Sequence, residues 1–148
     1  MEIKKSDLKL EKFTMLACSF ATIKAEKKIT EVDLNNIPID LDFDILVNKK
    51  NSNKIKIMLE VKANTRENQL PGYIYTVICE FDFIIKGLNK LAEDKKNRNI
   101  LFTALPLSIA MVRSHLYNVS SNFPYGHYML PSIDLVDLFT KKFAKSEK

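Results

Sequence analysis

Residues 73–85 read YIYTVICEFDFII, and their alternation decides the fold: Tyr73, Tyr75, Val77, Cys79, Phe81, Phe83 and Ile85 form one row, with Glu80 and Asp82 on the opposite face. Period-two alternation of this kind marks a strand with one face on a core. Pro71 and Gly72 supply the turn before it, and it ends near Gly87. Just upstream, Ile55, Ile57, Leu59, Val61 and Ala63 alternate with Lys54, Lys56, Met58, Glu60 and Lys62. The polar run Lys49 to Asn53 joins that strand to an earlier one opened by Pro38, in which Ile39, Leu41, Phe43, Ile45 and Val47 oppose Asp40, Asp42 and Asp44. These two strands make a hairpin.

A charged crossover from Lys24 to Asn36 separates the hairpin from a first strand, with Phe13, Met15, Ala17, Ser19 and Ala21 in one row and Thr14, Leu16, Cys18 and Phe20 in the other. That pattern suits a strand covered over most of its length. Four strands with short connections predict an antiparallel meander, because parallel pairs need crossover helices that this half of the chain does not supply.

Beyond Gly87 the period changes. From about Asn99 to Ser121, apolar residues including Ile100, Ala104, Ile109, Val112, Leu116 and Val119 recur at three and four, leaving too little polar surface for a freely solvated helix. Pro106 is expected to kink this helix or mark its true start. A short last helix, about Leu135 to Phe143, follows Pro131. A sheet covers only one side of so apolar a helix, which predicts that another subunit covers the rest; a thick monomeric core is the alternative. The fold class is α+β: a four-stranded antiparallel sheet, then a long apolar helix and a short C-terminal helix, in one domain over residues 1–148.

The 148 residues are 46% hydrophobic, enough for one substantial core. The net charge of +5 raises the question of an acidic partner, but the basic residues are dispersed. Lys4, Lys5, Lys9 and Lys12 lie near the start, Lys24, Lys27 and Lys28 at the crossover, Lys95, Lys96 and Arg98 before the helix, and Lys141, Lys142, Lys145 and Lys148 at the end. Without interleaved aromatic platforms, this distribution argues against nucleic acid. Cys18 and Cys79 sit in apolar segments as free thiols, which fits a reducing compartment. Met1 leads into the polar stretch Glu2 to Asp7, and no apolar run approaches the roughly 18 to 20 residues of a membrane span. The expectation is a cytoplasmic protein that neither enters a membrane nor is secreted.

The C-terminal third carries a resemblance. Arg113 in the apolar helix, Phe123-Pro124, then Leu130-Pro131-Ser132-Ile133-Asp134-Leu135 with Leu138-Phe139 behind resemble the SecB family of export chaperones, as do Phe83, Ile85 and Gly87 at the end of the fourth strand. In that family the proline-containing connection ends in asparagine and phenylalanine, for which Asp134 and Leu135 stand here. The resemblance implies a dimer of dimers with the long helices at its centre and apolar grooves on the flanks. By position Ile37, Tyr73 and Leu135 would line a groove, and Tyr125, Tyr128 and Met129 would cap it or pack the connection down. It implies an ATP-independent holdase whose client is unfolded polypeptide, a preprotein or an antitoxin, held by apolar burial and backbone hydrogen bonds. Family members that serve the SecA motor are acidic; this chain is basic and has Thr76 where one of those acids falls, which argues against SecA as a partner.

An enzyme reading stands beside it. Asp44, followed on the next strand by Glu60-Val61-Lys62, resembles the metal-binding core of restriction-endonuclease-like nucleases, in which two carboxylates hold a divalent cation and the lysine positions the attacking water. A charged hairpin face with opposite charges across the strands explains the same residues without a metal, and the element order does not suit a nuclease. His115 and His127 lack further ligands at metal spacing, and there is no glycine-rich phosphate loop. No cofactor, metal or catalytic residue is expected.

Overall fold

The protein, seen in a computed structural model that describes residues 6–144, runs β1 (Leu8–Ile23), α1 (Glu31–Asn35), β2 (Ile39–Val47), β3 (Lys54–Ala63), β4 (Gly72–Ile85), α2 (Glu93–Asn99), a π-helical stretch (Ile100–Ala104), α3 (Leu105–Ser120) and α4 (Leu135–Ala144). Of the dispersed lysines, Lys4, Lys5, Lys145 and Lys148 lie outside the described residues, as does most of the polar opening Glu2 to Asp7.

The strands form one four-stranded antiparallel sheet in the order β1-β4-β3-β2. Only β2, β3 and β4 form the expected meander; β1 pairs with β4 at the opposite edge from β2, because the crossover between them is long enough to span the sheet where a tight turn would not be. In β3 and β4 the apolar row is buried without a break from Ile55 to Ala63 and from Tyr73 to Ile85, while their other face is half-buried. On that second face Lys56 meets Glu80 at 2.8 Å and Asp82 at 3.9 Å, and Lys54 meets Glu11 at 2.9 Å. The alternation read in the sequence is therefore the division between core and solvent. Each fully buried large side chain in these rows stabilises the fold by roughly 1.5–3 kcal/mol.

β1 departs from expectation. It is an edge strand, mostly exposed, because only β4 flanks it. Its rows are also not the simple odd and even sets. Phe13 stacks on Phe81 at 5.1 Å and Met15 Sδ lies 3.5 Å from the Cys79 thiol, yet Phe20 packs on Tyr73 and Tyr75, ring centroids 4.9 and 5.8 Å away. Odd and even positions of one strand meet the same face of β4 only if an extra residue is accommodated between them, which is a β-bulge.

The charged crossover contains the short helix α1, capped by a reciprocal pair in which the Thr30 hydroxyl accepts from the Asp33 amide and the Asp33 carboxylate from the Thr30 amide. The long helix begins earlier than its apolar run. Lys95, Lys96 and Arg98 lie inside α2, and helix continues from Glu93 to Ser120. Pro106 does not stop it. Proline has no amide to give the carbonyl four residues back and its ring crowds that carbonyl; the wider π turn immediately before it takes up the mismatch.

By internal contacts the chain divides into two units, one of Met1–Cys18, Phe43–Glu60 and Val77–Val112, the other of Ser19–Asp42, Val61–Thr76 and Arg113–Lys148. The division falls within each strand and within α3.

Candidate functional site

The second unit holds all three residues implied for a groove. β4 enters it at Gly72, whose φ of +134° suits glycine alone. A Cβ there would come within 3.1 Å of Ile37 Cδ1 and 3.2 Å of Leu34 Cδ2, so the crossover seats directly on the start of β4. Upstream, Asn64 adopts φ 60°, and its buried side chain donates to the carbonyls of Leu70 and Tyr73 at 2.6 and 3.1 Å and accepts the Leu70 amide at 2.8 Å. Those bonds fold the β3–β4 connection and deliver Tyr73 in register.

Tyr73 is the centre of an aromatic cluster. Its ring lies 4.9 Å from Phe20, 5.6 Å from Tyr125, 6.0 Å from Tyr128 and 6.4 Å from Phe123. Phe20 also meets Phe123 at 4.7 Å, and Tyr75 meets Tyr128 at 5.5 Å. The Tyr73 hydroxyl donates to the Gly126 carbonyl at 2.6 Å, and the Tyr75 hydroxyl to that of Tyr128 at 3.3 Å. Burial raises the pKa of all three buried phenols above the ordinary tyrosine value, so they stay neutral.

The connection from α3 to α4 lies over this cluster. Arg113 on α3 donates to the carbonyls of Leu130 and Pro131 at 2.8 and 2.9 Å, and the Ser120 hydroxyl accepts the Tyr128 amide at 2.7 Å. The Tyr125 hydroxyl donates to the Ile23 carbonyl at 3.0 Å and accepts the Ala25 amide at 3.1 Å, tying the connection to the end of β1. Asp134 then caps α4, its carboxylate accepting the amides of Val136 and Asp137. Lys142 on α4 pairs with Asp42 of β2 at 2.7 Å.

Ile37 and Tyr73 are thus interior residues, 3% and 0% exposed, and Leu135 is half-buried. Tyr128 packs the connection down, Tyr125 fastens it, and Met129 points outward. Sequence reading passed over Phe20, which the bulge turns inward, and the apolar side chains that this unit exposes: Val32 on α1, Leu70, and Val136 and Phe143 on α4, the last two 68% and 52% exposed. An amphipathic period in α4 was visible in the sequence, but not which part of its apolar arc stays uncovered.

In the first unit, a depression of about 520 Å³ is lined by Glu11, Lys54, Lys56, Glu80, Asp82 and neighbours, and these five side chains are engaged in the cross-strand pairs already described. Asp44 stands exposed on β2, with Glu60 and Lys62 half-buried on β3. Among the described residues no three His, Cys, Asp or Glu side chains gather as a metal would need. His127 stacks on Tyr117 at 4.1 Å. Burial pushes the Cys79 thiol up to about 11, so it is protonated and unreactive near neutral pH.

This architecture is a SecB-like fold. It is similar to the SecB-like chaperone Rv1957 of Mycobacterium tuberculosis, solved in complex with a ChAD peptide from the Rv1956 HigA1 antitoxin, at a TM-score of 0.57 and 10% identity over 86% of this chain and 91% of that one. A protein of unknown function from Streptococcus agalactiae matches at a TM-score of 0.44 and 10% identity, over 88% of this chain and all of that one. No family model and no curated protein matches the sequence. The nuclease alternative built on Asp44, Glu60 and Lys62 has no support in these likenesses.

Proposed function

We propose that the protein is an ATP-independent holdase that binds unfolded polypeptide on apolar surface, in the cytoplasm. The observation that carries this reading is the SecB-like fold combined with the apolar side chains that the second unit leaves exposed on α1, α4 and the α3–α4 connection. Such side chains bind extended chain by removing apolar area from water, at about 25 cal/mol per Å², and do so with little regard to sequence. The neighbour from Mycobacterium tuberculosis is a chaperone bound to an antitoxin peptide. That supports a polypeptide client here, an antitoxin or a preprotein.

Self-association as a dimer of dimers belongs to the same reading. Thr103, Leu107, Ala110, Ser114 and Tyr117 form an exposed stripe along the long helix, with Phe102 exposed beside it. An exposed stripe on so apolar a helix suits packing against a copy of itself. β1 adds a 16-residue edge with Phe13 and Leu16 exposed, an open template for further strand pairing. Docking to SecA has less in its favour: Glu80 and Asp82 on the outer face of β4 are paired with Lys56, and Thr76 is no acid.

The test is a client unfolded in denaturant and diluted in the protein's presence without nucleotide. Slowed aggregation, with binding of the unfolded client retained in 1 M salt, is expected for apolar capture, since the Debye length falls from about 10 Å at 0.1 M to about 3 Å there. Failure to retard any client sinks the proposal.

A further inference from the structure

We propose that one end of the sheet, within the first unit, is a basic face that docks on an anionic membrane surface without entering it; this goes beyond the holdase reading and does not depend on it. The lysines dispersed along the sequence are not dispersed in the fold. Among the described residues the first unit has eleven Lys and Arg against eight Asp and Glu, whereas the second has eight of each. Antiparallel pairing brings the start of β1, the β2–β3 turn and the exit of β4 to the same end of the sheet. Backbone amides tie the three together. That of Ile85 donates to the Asn53 carbonyl at 2.9 Å, that of Asn89 to the Asn53 side-chain oxygen at 2.9 Å, and that of Lys86 to the Asp7 carbonyl at 3.0 Å.

Lys9, Lys49, Lys50, Lys86 and Lys90 stand exposed at this end. The Asn48 side chain accepts the amides of Lys50 and Asn51 at 2.8 and 3.1 Å, so the β2–β3 turn presents its lysines from a fixed backbone. Carboxylates that could neutralise them are engaged elsewhere, Glu11 with Lys54, Glu80 and Asp82 with Lys56, and Glu93 with Lys96. Among the described residues none of the five lysines is in an ion pair. Apolar side chains are exposed among them: Leu46 and Val47 before the turn, and Leu91, which borders a depression of about 310 Å³ together with Asp7, Lys86 and Asn99.

This mixture selects the partner. Lysine meets phosphate as a point charge, without the bidentate fork of arginine, and so suits a fluid array of anionic headgroups. Leucine and valine beside it gain by leaving water for the boundary between headgroups and acyl chains. A nucleic-acid backbone offers those side chains nothing, and neither the β2–β3 turn nor residues 86–92 include an aromatic on which a base could stack.

The full chain is sedimented with vesicles of equal parts phosphatidylglycerol and phosphatidylcholine. Binding is expected at about 0.1 M salt and lost at about 1 M, where the Debye length falls to about 3 Å; vesicles of phosphatidylcholine alone should not bind. Lys49→Gln, Lys50→Gln and Lys86→Gln together should weaken binding roughly a hundredfold, about fivefold for each lysine at the surface, with helix content unchanged. Lys24→Gln, Lys27→Gln and Lys28→Gln remove the same charge from the crossover of the second unit and should leave binding unchanged. Leu46→Gln with Leu91→Gln should weaken it several-fold at constant charge. The proposal is overturned if the unaltered protein ignores the anionic vesicles, if the two lysine triples lose affinity equally, or if the leucine pair changes nothing. Polyuridylate that binds more tightly than the vesicles and displaces them would assign the face to nucleic acid instead.

Discussion

Asn64 does more for this fold than its place in a polar turn suggests. Its amide satisfies the Leu70 and Tyr73 carbonyls and the Leu70 amide, its own amide donates to the Pro38 carbonyl at 2.9 Å, and its backbone takes the left-handed region that asparagine tolerates. Asn64→Ala leaves buried backbone groups without partners and adds backbone strain, so urea denaturation should show a loss of about 2–4 kcal/mol. Asn64→Gly relieves the strain but not the lost bonds, and its loss should be smaller by about 1 kcal/mol. A destabilisation below about 1 kcal/mol in both would mean that the connection is organised by something other than this side chain. Asparagine in a turn is common, and nothing in its neighbours announced that this one is buried.

Among the elements, β3 and β4 were legible and β1 was not, for a physical reason. A strand with one face on the core and one toward solvent writes its period into the sequence. A bulge carries no residue type of its own, so the row containing Met15 and the row containing Phe20 looked like opposite faces. The helix start was misplaced similarly: α2 is charged, with Lys96 reaching Glu93 at 3.7 Å, and only the apolar part of the helix had a readable period. α4 was placed correctly because Pro131 marks its entry; Asp134 supplies the cap. Its cap has a measurable share of the stability. Asp134→Ala should cost about 1 kcal/mol and speed hydrogen exchange at the Val136 and Asp137 amides; unchanged exchange there would show that α4 is held by its packing and by the Lys142–Asp42 pair instead.

At the scale of the whole molecule the open question is what covers the apolar surface of the long helix. Light scattering should report a particle of four times the 17.1 kDa of the chain at micromolar concentration. Leu107→Asp with Tyr117→Asp should reduce that mass at unchanged helix content, since both side chains are exposed in the protomer and surface changes usually cost less than about 0.5 kcal/mol. A monomer for the unaltered protein would remove the assembly and leave the fold as described.

The sequence by itself determined the strand periods, the antiparallel run of β2, β3 and β4, the apolar helix and its successor, because each is a local pattern that burial imposes at fixed spacing; that β1 pairs with β4 and not with β2 was decided by the tertiary structure. The resemblance to the SecB family implied a groove position for Ile37, Tyr73 and Leu135, which lie in the same unit. Only the tertiary structure decided that Ile37 and Tyr73 are interior, that Phe20 joins them across a bulge, and that Tyr125 ties residue 125 of the chain to residues 23 and 25. Those contacts join positions far apart along the chain, and a hydrogen bond from a phenol to a distant backbone leaves no periodicity behind for a reader of the sequence to find.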